Sequence, residues 1–119
     1  MEKLTLTTTT LYFILENSVH TAYVGVAGLG DNTDLVEISR KLNLLESCVR
    51  SARMHEKELT PYYFGRLSTY VAHLENMLRS AKVEGVTAIC LTYSAITCLN
   101  DLRYTLNSIA ITNDLPTVY

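Results

Sequence analysis

Charged residues are scarce in this sequence, and neither sign dominates. They make up 18% of the 119 residues, and the formal net charge is −2. Proteins that bind nucleic acid regardless of its sequence usually cluster lysine and arginine, whereas here the two signs are mixed along the chain. A polyanionic mimic of DNA would carry a large acidic excess instead. We therefore expect no nucleic-acid partner.

Cysteine is too sparse to form a structural framework. The three cysteines, Cys48, Cys90 and Cys98, are odd in number and include no Cys-x-x-Cys pair, which disfavours a disulfide scaffold and a zinc site. We predict that they are small core residues of a protein in a reducing compartment.

Spacings that hold metals, phosphates or cofactors are missing as well. The histidines His20, His55 and His73 lie on three different segments, and none has a second ligand at the helical spacing of a metal site. The glycines between residues 25 and 30 do not follow the pattern of a P-loop or of a dinucleotide-binding loop. The sequence therefore predicts no catalytic residue, no metal site and no cofactor.

Long hydrophobic runs are absent too. The run from Leu11 to Leu15 is interrupted by Glu16 before it reaches the length of a signal-peptide core. The uncharged stretch from Gly85 to Asn100 contains threonine and serine, and it is shorter than the ~20 apolar residues that a membrane span needs. We expect a cytoplasmic protein that has no membrane partner.

Apolar residues, by contrast, are abundant and regularly spaced. Hydrophobic residues form 48% of the sequence, and a chain of this length can bury about two-thirds of its unfolded surface in one core. Segments 34–56, 61–82 and 86–109 repeat apolar residues at spacings of three and four, which predicts amphipathic helices. Thr60-Pro61 is a typical helix start, and Pro116 predicts an extended tail over 112–119.

Segment 34–56 gives the clearest helical signal. We predict that Leu44 and Cys48 widen its apolar stripe, and that Glu46 and Arg50 form an ion pair on a solvated face. The stripe itself consists of Leu35, Ile38, Leu42, Leu45, Val49 and Ala52.

The first thirty residues allow two interpretations. The preferred one is a helix that ends at the glycines of residues 28–30; the other is a β-hairpin that turns at Asn17-Ser18. The predicted fold class is accordingly all-α, a small four-helix bundle that forms a single domain over 1–119. The alternative is an α+β fold with an N-terminal hairpin packed on three helices.

One short pattern suggests an enzymatic alternative. Arg50 and His55 have the Arg-x4-His spacing, which resembles the motif of the HEPN family of small helical ribonucleases. The resemblance implies that Arg50 binds the scissile phosphate, that His55 acts in acid–base catalysis, and that two subunits build one site. The interpretation we prefer is that Arg50 and Arg53 are solvated partners of Glu46 and Glu56.

The remaining signal is apolar surface on more than one side of the third and fourth helices. The first four turns of the last helix are apolar nearly all round, which is typical of a central helix or of a surface buried by another subunit. Aromatic residues are enriched at protein interfaces. The candidate protein-interaction residues are Tyr62, Tyr70, Ile89, Tyr93 and Ile96.

These observations favour a small non-enzymatic protein-binding or regulatory module. We expect an inhibitor, adaptor or chaperone of the kind that phages and plasmids encode, acting through apolar helix faces. Its partner is another protein chain, and a homodimer is one form that this partnership can take. The alternatives are a HEPN-like ribonuclease and a self-associating structural subunit.

Overall fold

The protein folds into four α-helices. The computed structural model describes residues 8–29 and 33–112, with α1 at Thr8–Ala27, α2 at Thr33–Met54, α3 at Pro61–Ser80 and α4 at Val86–Thr112. Within these ranges there is no β-strand. The prediction of a small all-α four-helix bundle is confirmed, and the N-terminal hairpin alternative is wrong.

Helix α1 forms because its apolar residues repeat at helical spacing. Leu15, Val19 and Ala22 are fully buried on one face, whereas a hairpin would have divided them between the two faces of its strands. Tyr12 is also buried, and its hydroxyl donates a hydrogen bond to the Lys57 carbonyl at 3.0 Å. This bond fixes the N-terminal end of α1 to the connection between α2 and α3. Burial, and to a lesser extent the neighbouring Tyr63, raises the pKa of Tyr12 to about 12.

The ends of α3 follow the capping chemistry expected from the sequence. The Thr60 hydroxyl accepts a hydrogen bond from the Tyr63 amide at 3.1 Å, and Pro61 occupies the first turn. Ala81 ends the helix in an extended conformation. Gly85 then adopts a left-handed conformation with φ 93° just before α4 begins, a conformation that a residue with a side chain rarely adopts.

The helices run up and down, and each packs antiparallel to its neighbour in sequence. Helix α1 lies between α2 and α4, while α3 packs against α4 and touches α2. The Cα positions extend over 48 × 28 × 17 Å, so the bundle is elongated and flattened. The predicted stripe of α2 is buried at all six positions, and the core also contains Leu11, Leu15, Val19, Val71, Leu74, Leu78, Leu99, Leu102 and Leu106.

Three sequence-based expectations need correction. Leu44 and Cys48 are exposed and do not widen the buried stripe of α2, because α2 meets the bundle mainly through one face, packed on α1. Cys90 is exposed on α4, and Cys98 is only half-buried. Thr112 is the last residue of α4 and does not begin an extended tail, while residues 113–119 lie outside the described ranges.

Candidate interaction surface

Helix α4 carries a continuous exposed stripe along its whole length. Val86 is 79% exposed, Tyr93 68%, Tyr104 62% and Ile111 66%. At 100° per residue these positions fall within a narrow sector opposite the buried Ala95, Leu99 and Leu106. We call the following set the outer stripe of α4: Val86, Cys90, Tyr93, Thr97, Asp101, Tyr104, Ser108 and Ile111, all of which are exposed.

The first half of this helix has no charge at all. From Val86 to Asn100 the sequence contains no Asp, Glu, Lys or Arg, although many of these residues face solvent. Surface helices of soluble domains normally place charged residues on the face opposite the core. Ile89, at 50% exposed, adds an apolar side chain beside Tyr93. This part of α4 therefore resembles the centre of a protein interface, where charged residues are depleted and aromatic residues enriched.

A groove runs between this surface and the end of α3. Its volume is about 310 Å³, and Ile89 and Tyr93 form part of its wall. The groove exists because α3 ends at Ser80, and only the connection over residues 81–85 continues beside the first turns of α4. The other lining residues are Leu78, Arg79, Ala81, Val83, Thr92 and Ile96.

The structure places the five predicted interaction residues in different surroundings. Ile89 and Tyr93 are exposed neighbours on α4. Ile96 is only 8% exposed and belongs to the core. Tyr70 is half-buried on α3, with its ring 6.3 Å from that of His73. Tyr62 is 74% exposed in the first turn of α3, beside the Arg66 guanidinium.

Sequence reasoning missed the C-terminal half of the surface. Tyr104 and Ile111 continue the exposed stripe beyond the uncharged stretch. The signal was present in the spacing, because these residues follow Tyr93 at helical intervals on the side away from Leu102 and Leu106. Their polar neighbours made this half look like an ordinary solvated face.

Buried carboxylates joined to arginines form a cluster between α1 and α2. Glu16 accepts hydrogen bonds from the Nε atoms of Arg53 and Arg50, each at 2.8 Å. Glu46 is 4% exposed; it accepts a bond from Arg50 and lies 3.0 Å from Nδ1 of His20. The bond from Arg53 is the strongest influence on Glu16 and, with the help of Arg50, holds the pKa of Glu16 below its ordinary value although burial opposes this.

This cluster corrects the predicted pairing of the arginines. The ion pair of Glu46 with Arg50 exists, but Glu46 is buried at the helix interface and does not lie on a solvated face. Arg53 pairs with Glu16, and its guanidinium also stacks 4.4 Å above the Phe13 ring. The position of Glu46 directly after Leu45, within the buried stripe, was the signal that it would be drawn inward.

A second cluster of the same kind joins α3 and α4. Glu75 is 3% exposed and accepts hydrogen bonds from Arg103 at 2.8 Å and from Arg79 at 3.0 Å. Arg103 also donates to the Asn100 side chain at 2.9 Å. Burial alone would raise the pKa of Glu75, but the hydrogen bonds and charges of the two arginines outweigh it and lower that pKa. Both clusters connect helices, and their charges are satisfied within the fold.

The contacts of Arg50 and His55 bear on the ribonuclease alternative. The Arg50 guanidinium is shared between two carboxylates, so a phosphate would have to compete with both for it. His55 is exposed just beyond the end of α2, and its Nδ1 lies 2.8 Å from the Ser51 carbonyl oxygen, to which it can donate.

Other chemistry finds little support in the described part of the chain. Burial raises the pKa of the Cys98 thiol, which donates a hydrogen bond to the Ser18 carbonyl at 3.1 Å, so this thiol is a poor nucleophile. Across residues 8–29 and 33–112, no three His, Cys, Asp or Glu side chains converge as a metal site would require.

Comparison with known proteins adds no family. The sequence matches no protein-family model, no curated protein and no solved structure at a significant level. Among the helices of the described residues, none combines the length and the apolar character needed to cross a membrane.

Proposed function

We propose that this protein is a small, non-enzymatic protein-binding module whose docking surface is the exposed face of α4. The observation that carries the proposal is the absence of charge from Val86 to Asn100 on a helix whose side chains here are largely exposed. Exposed apolar patches of this kind are uncommon on monomeric proteins unless they bind something.

The distribution of charge elsewhere in the molecule supports this choice. Five arginine and glutamate side chains form ion pairs across helix interfaces. Glu16 on α1 pairs with Arg50 and Arg53 on α2, and Glu75 on α3 pairs with Arg103 on α4. Groups that a catalytic site would use are thus employed in holding the bundle together. The exposed part of α4 from Val86 to Asn100 carries no charged residue and takes no part in such pairing.

The proposed class is a regulatory module such as an inhibitor, adaptor or chaperone, working in a reducing compartment such as the cytoplasm. Its exposed thiols, Cys48 and Cys90, are free, which suits such a compartment. A binding surface built on a rigid helix also needs no cofactor.

The test compares two apolar-to-acidic substitutions in a tagged protein. Ile89→Glu places a charge on the α4 surface, whereas Leu44→Glu places one on α2, where Leu44 is similarly exposed at 55%. Circular dichroism first confirms that the two variants are equally helical. The protein chains that each variant recovers from a native host lysate are then compared. We expect one stoichiometric chain to be lost with Ile89→Glu and retained with Leu44→Glu. If both variants recover the same chains as the parent, the α4 surface is not the docking site.

A further inference from the structure

The outer stripe of α4 has a pattern that reads almost the same in both directions. From its N-terminal end it runs apolar, small, aromatic, polar, and from its C-terminal end it again runs apolar, small, aromatic, polar. The residues in order are Val86, Cys90, Tyr93, Thr97, Asp101, Tyr104, Ser108 and Ile111, and all are exposed. In a two-fold interface the same patch is used twice, and residue i faces residue j while residue j faces residue i. This pattern therefore places residues of the same kind opposite each other when two copies of the helix pack in antiparallel orientation.

We propose that the occupant of this surface is a second copy of the chain, packed α4 against α4 in antiparallel orientation. The two-fold axis passes the helix between Thr97 and Asp101. This inference rests on the proposed function, since it names the partner of the same surface.

The register follows from the spacing along the helix. With the axis at that point, Tyr93 of one copy lies opposite Tyr104 of the other, and Val86 lies opposite Ile111. On the other flank Cys90 faces Ser108, and Thr97 faces Asp101. The two residues of each pair lie on the same side of the stripe, because rotation about an axis perpendicular to both helices does not exchange the two sides of the interface. Aromatic side chains meet at two symmetric places, where offset packing contributes beyond buried area.

Charge favours the antiparallel arrangement over the parallel one. Asp101 is the one charged residue of the outer stripe. In a parallel pair the two Asp101 side chains would face each other directly, whereas here each faces a threonine hydroxyl that can donate to it. The two Asp101 positions are then about 10–12 Å apart, from the ~1.5 Å rise per residue and an interaxial distance of 8–10 Å. At physiological ionic strength that separation exceeds the Debye length of ~8 Å. Antiparallel packing also opposes the two helix dipoles.

A shallow depression on α4 fits the aromatic pairing. It is lined by Ile89, Cys90, Ser94, Thr97 and Asp101 together with Tyr93 and Cys98. Side chains on a helix lean toward its N-terminus, so the Tyr104 ring of the second copy leans over this depression. The small Ser94 and Thr97 leave room for it.

The size of the contact predicts a reversible dimer. Helix α4 has 27 residues, so the outer stripe is about 40 Å long, and at ~10 Å wide it offers about 400 Å² per copy. The total of about 800 Å² is below the ~1,200 Å² at which stable interfaces begin. We therefore expect a reversible monomer–dimer equilibrium and not a permanent dimer.

The experiment measures sedimentation velocity of the full chain from about 10 to 500 µM with three variants and one control. Tyr93→Glu and Tyr104→Lys each remove one tyrosine from both aromatic pairs of the dimer, and we expect each to weaken dimerisation at least tenfold. The double variant places opposite charges across the interface at both sites, so it should recover most of the dimer. Within one chain these two positions are about 16 Å apart along the helix and cannot pair with each other.

The control is Tyr62→Glu, on the similarly exposed Tyr62 of α3, and it should leave the dimer unchanged. Circular dichroism confirms that each variant stays helical. A parent that remains monomeric throughout, or a dimer that Tyr93→Glu leaves intact, overturns the inference. If both single variants dissociate and the double variant does not restore the dimer, the antiparallel register is overturned. If the parent is monomeric but recovers a foreign chain from the lysate that Ile89→Glu does not recover, this inference alone is overturned and the proposed function stands.

Discussion

The Glu75 carboxylate on α3 lies 2.8 Å from the Arg103 guanidinium on α4, and both groups are largely shielded from water. This ion pair joins the consecutive helices α3 and α4 across 28 positions of the sequence, and Arg79 binds the same carboxylate from within α3. A buried carboxylate is stable only when its hydrogen-bond capacity is filled. The ion pair between Glu75 and Arg103 therefore helps to fix the packing of α3 on α4, the helix that carries the proposed surface.

Removing the charge of Glu75 should destabilise the bundle. Glu75→Gln keeps the size of the side chain but weakens both arginine hydrogen bonds, and we expect the free energy of unfolding to fall by about 1–3 kcal/mol. Urea denaturation followed by circular dichroism measures this. Glu37→Gln is the matched control, because Glu37 pairs with Arg40 and Lys41 on an exposed face, where such pairs contribute little. Equal losses in the two variants would contradict the structural role of Glu75.

Acid should destabilise the protein through the same carboxylates. The pKa values of Glu16 and Glu75 are lowered in the folded protein, while in the unfolded chain they return to about 4.3. Groups of this kind contribute stability that is complete above the unfolded pKa and is lost as the pH falls through the folded pKa. We expect the urea midpoint to be steady near neutral pH and to decline below about pH 5. Glu75→Gln should make that decline shallower; a midpoint that rises on acidification would contradict the account.

The hydroxyl of Thr92 should be dispensable for stability. Thr92 is 6% exposed, and its Oγ1 has no hydrogen-bond partner. Thr92→Val replaces that group by a methyl of similar size, which removes a desolvation cost, so we expect thermal stability to be unchanged or to rise by up to about 1 kcal/mol. The exposed Thr105, whose hydroxyl donates to the Asp101 carbonyl at 3.0 Å, provides the control. A clear loss in Thr92→Val without one in Thr105→Val would show that the hydroxyl has a partner after all.

The ribonuclease alternative makes an opposite prediction to ours. Because Arg50 is bound by Glu16 and Glu46, we expect the purified protein to leave single-stranded and structured RNA intact. The assay compares the parent with His55→Ala, in which folding should be unaffected because His55 is exposed. Cleavage by the parent that disappears in His55→Ala would establish the enzyme and refute our proposal.

The sequence alone was sufficient for the helices and most of the core. The α2 stripe from Leu35 to Ala52 is buried as its spacing predicts, and Thr60-Pro61 begins α3 as predicted. These features depend on local periodicity and capping, which neighbouring residues determine. Local pattern also explains why the α1 assignment was open, since its threonine and aromatic residues suit strands as well.

Long-range packing was harder to predict. Cys48 and Cys90 looked like core residues because of their type, yet both are exposed, since burial depends on which face a neighbouring helix covers. Glu16 is only 9% exposed, and it is buried because Arg50 and Arg53 reach it from α2. One sequence does not reveal such a pairing across 34 or 37 positions. For the same reason Ile96 and Ile89 could not be separated into core and surface.

The most direct test of the central claim is photocrosslinking from the α4 surface in the native host. The photoreactive residue benzoylphenylalanine replaces Tyr93 in one strain and Leu44 in another, and the crosslinked products are identified by mass. We expect position 93 to crosslink to one protein chain in high yield, either a second copy or a foreign protein, and position 44 to give only background. Equal background at both positions would contradict the claim that α4 carries a protein-binding surface.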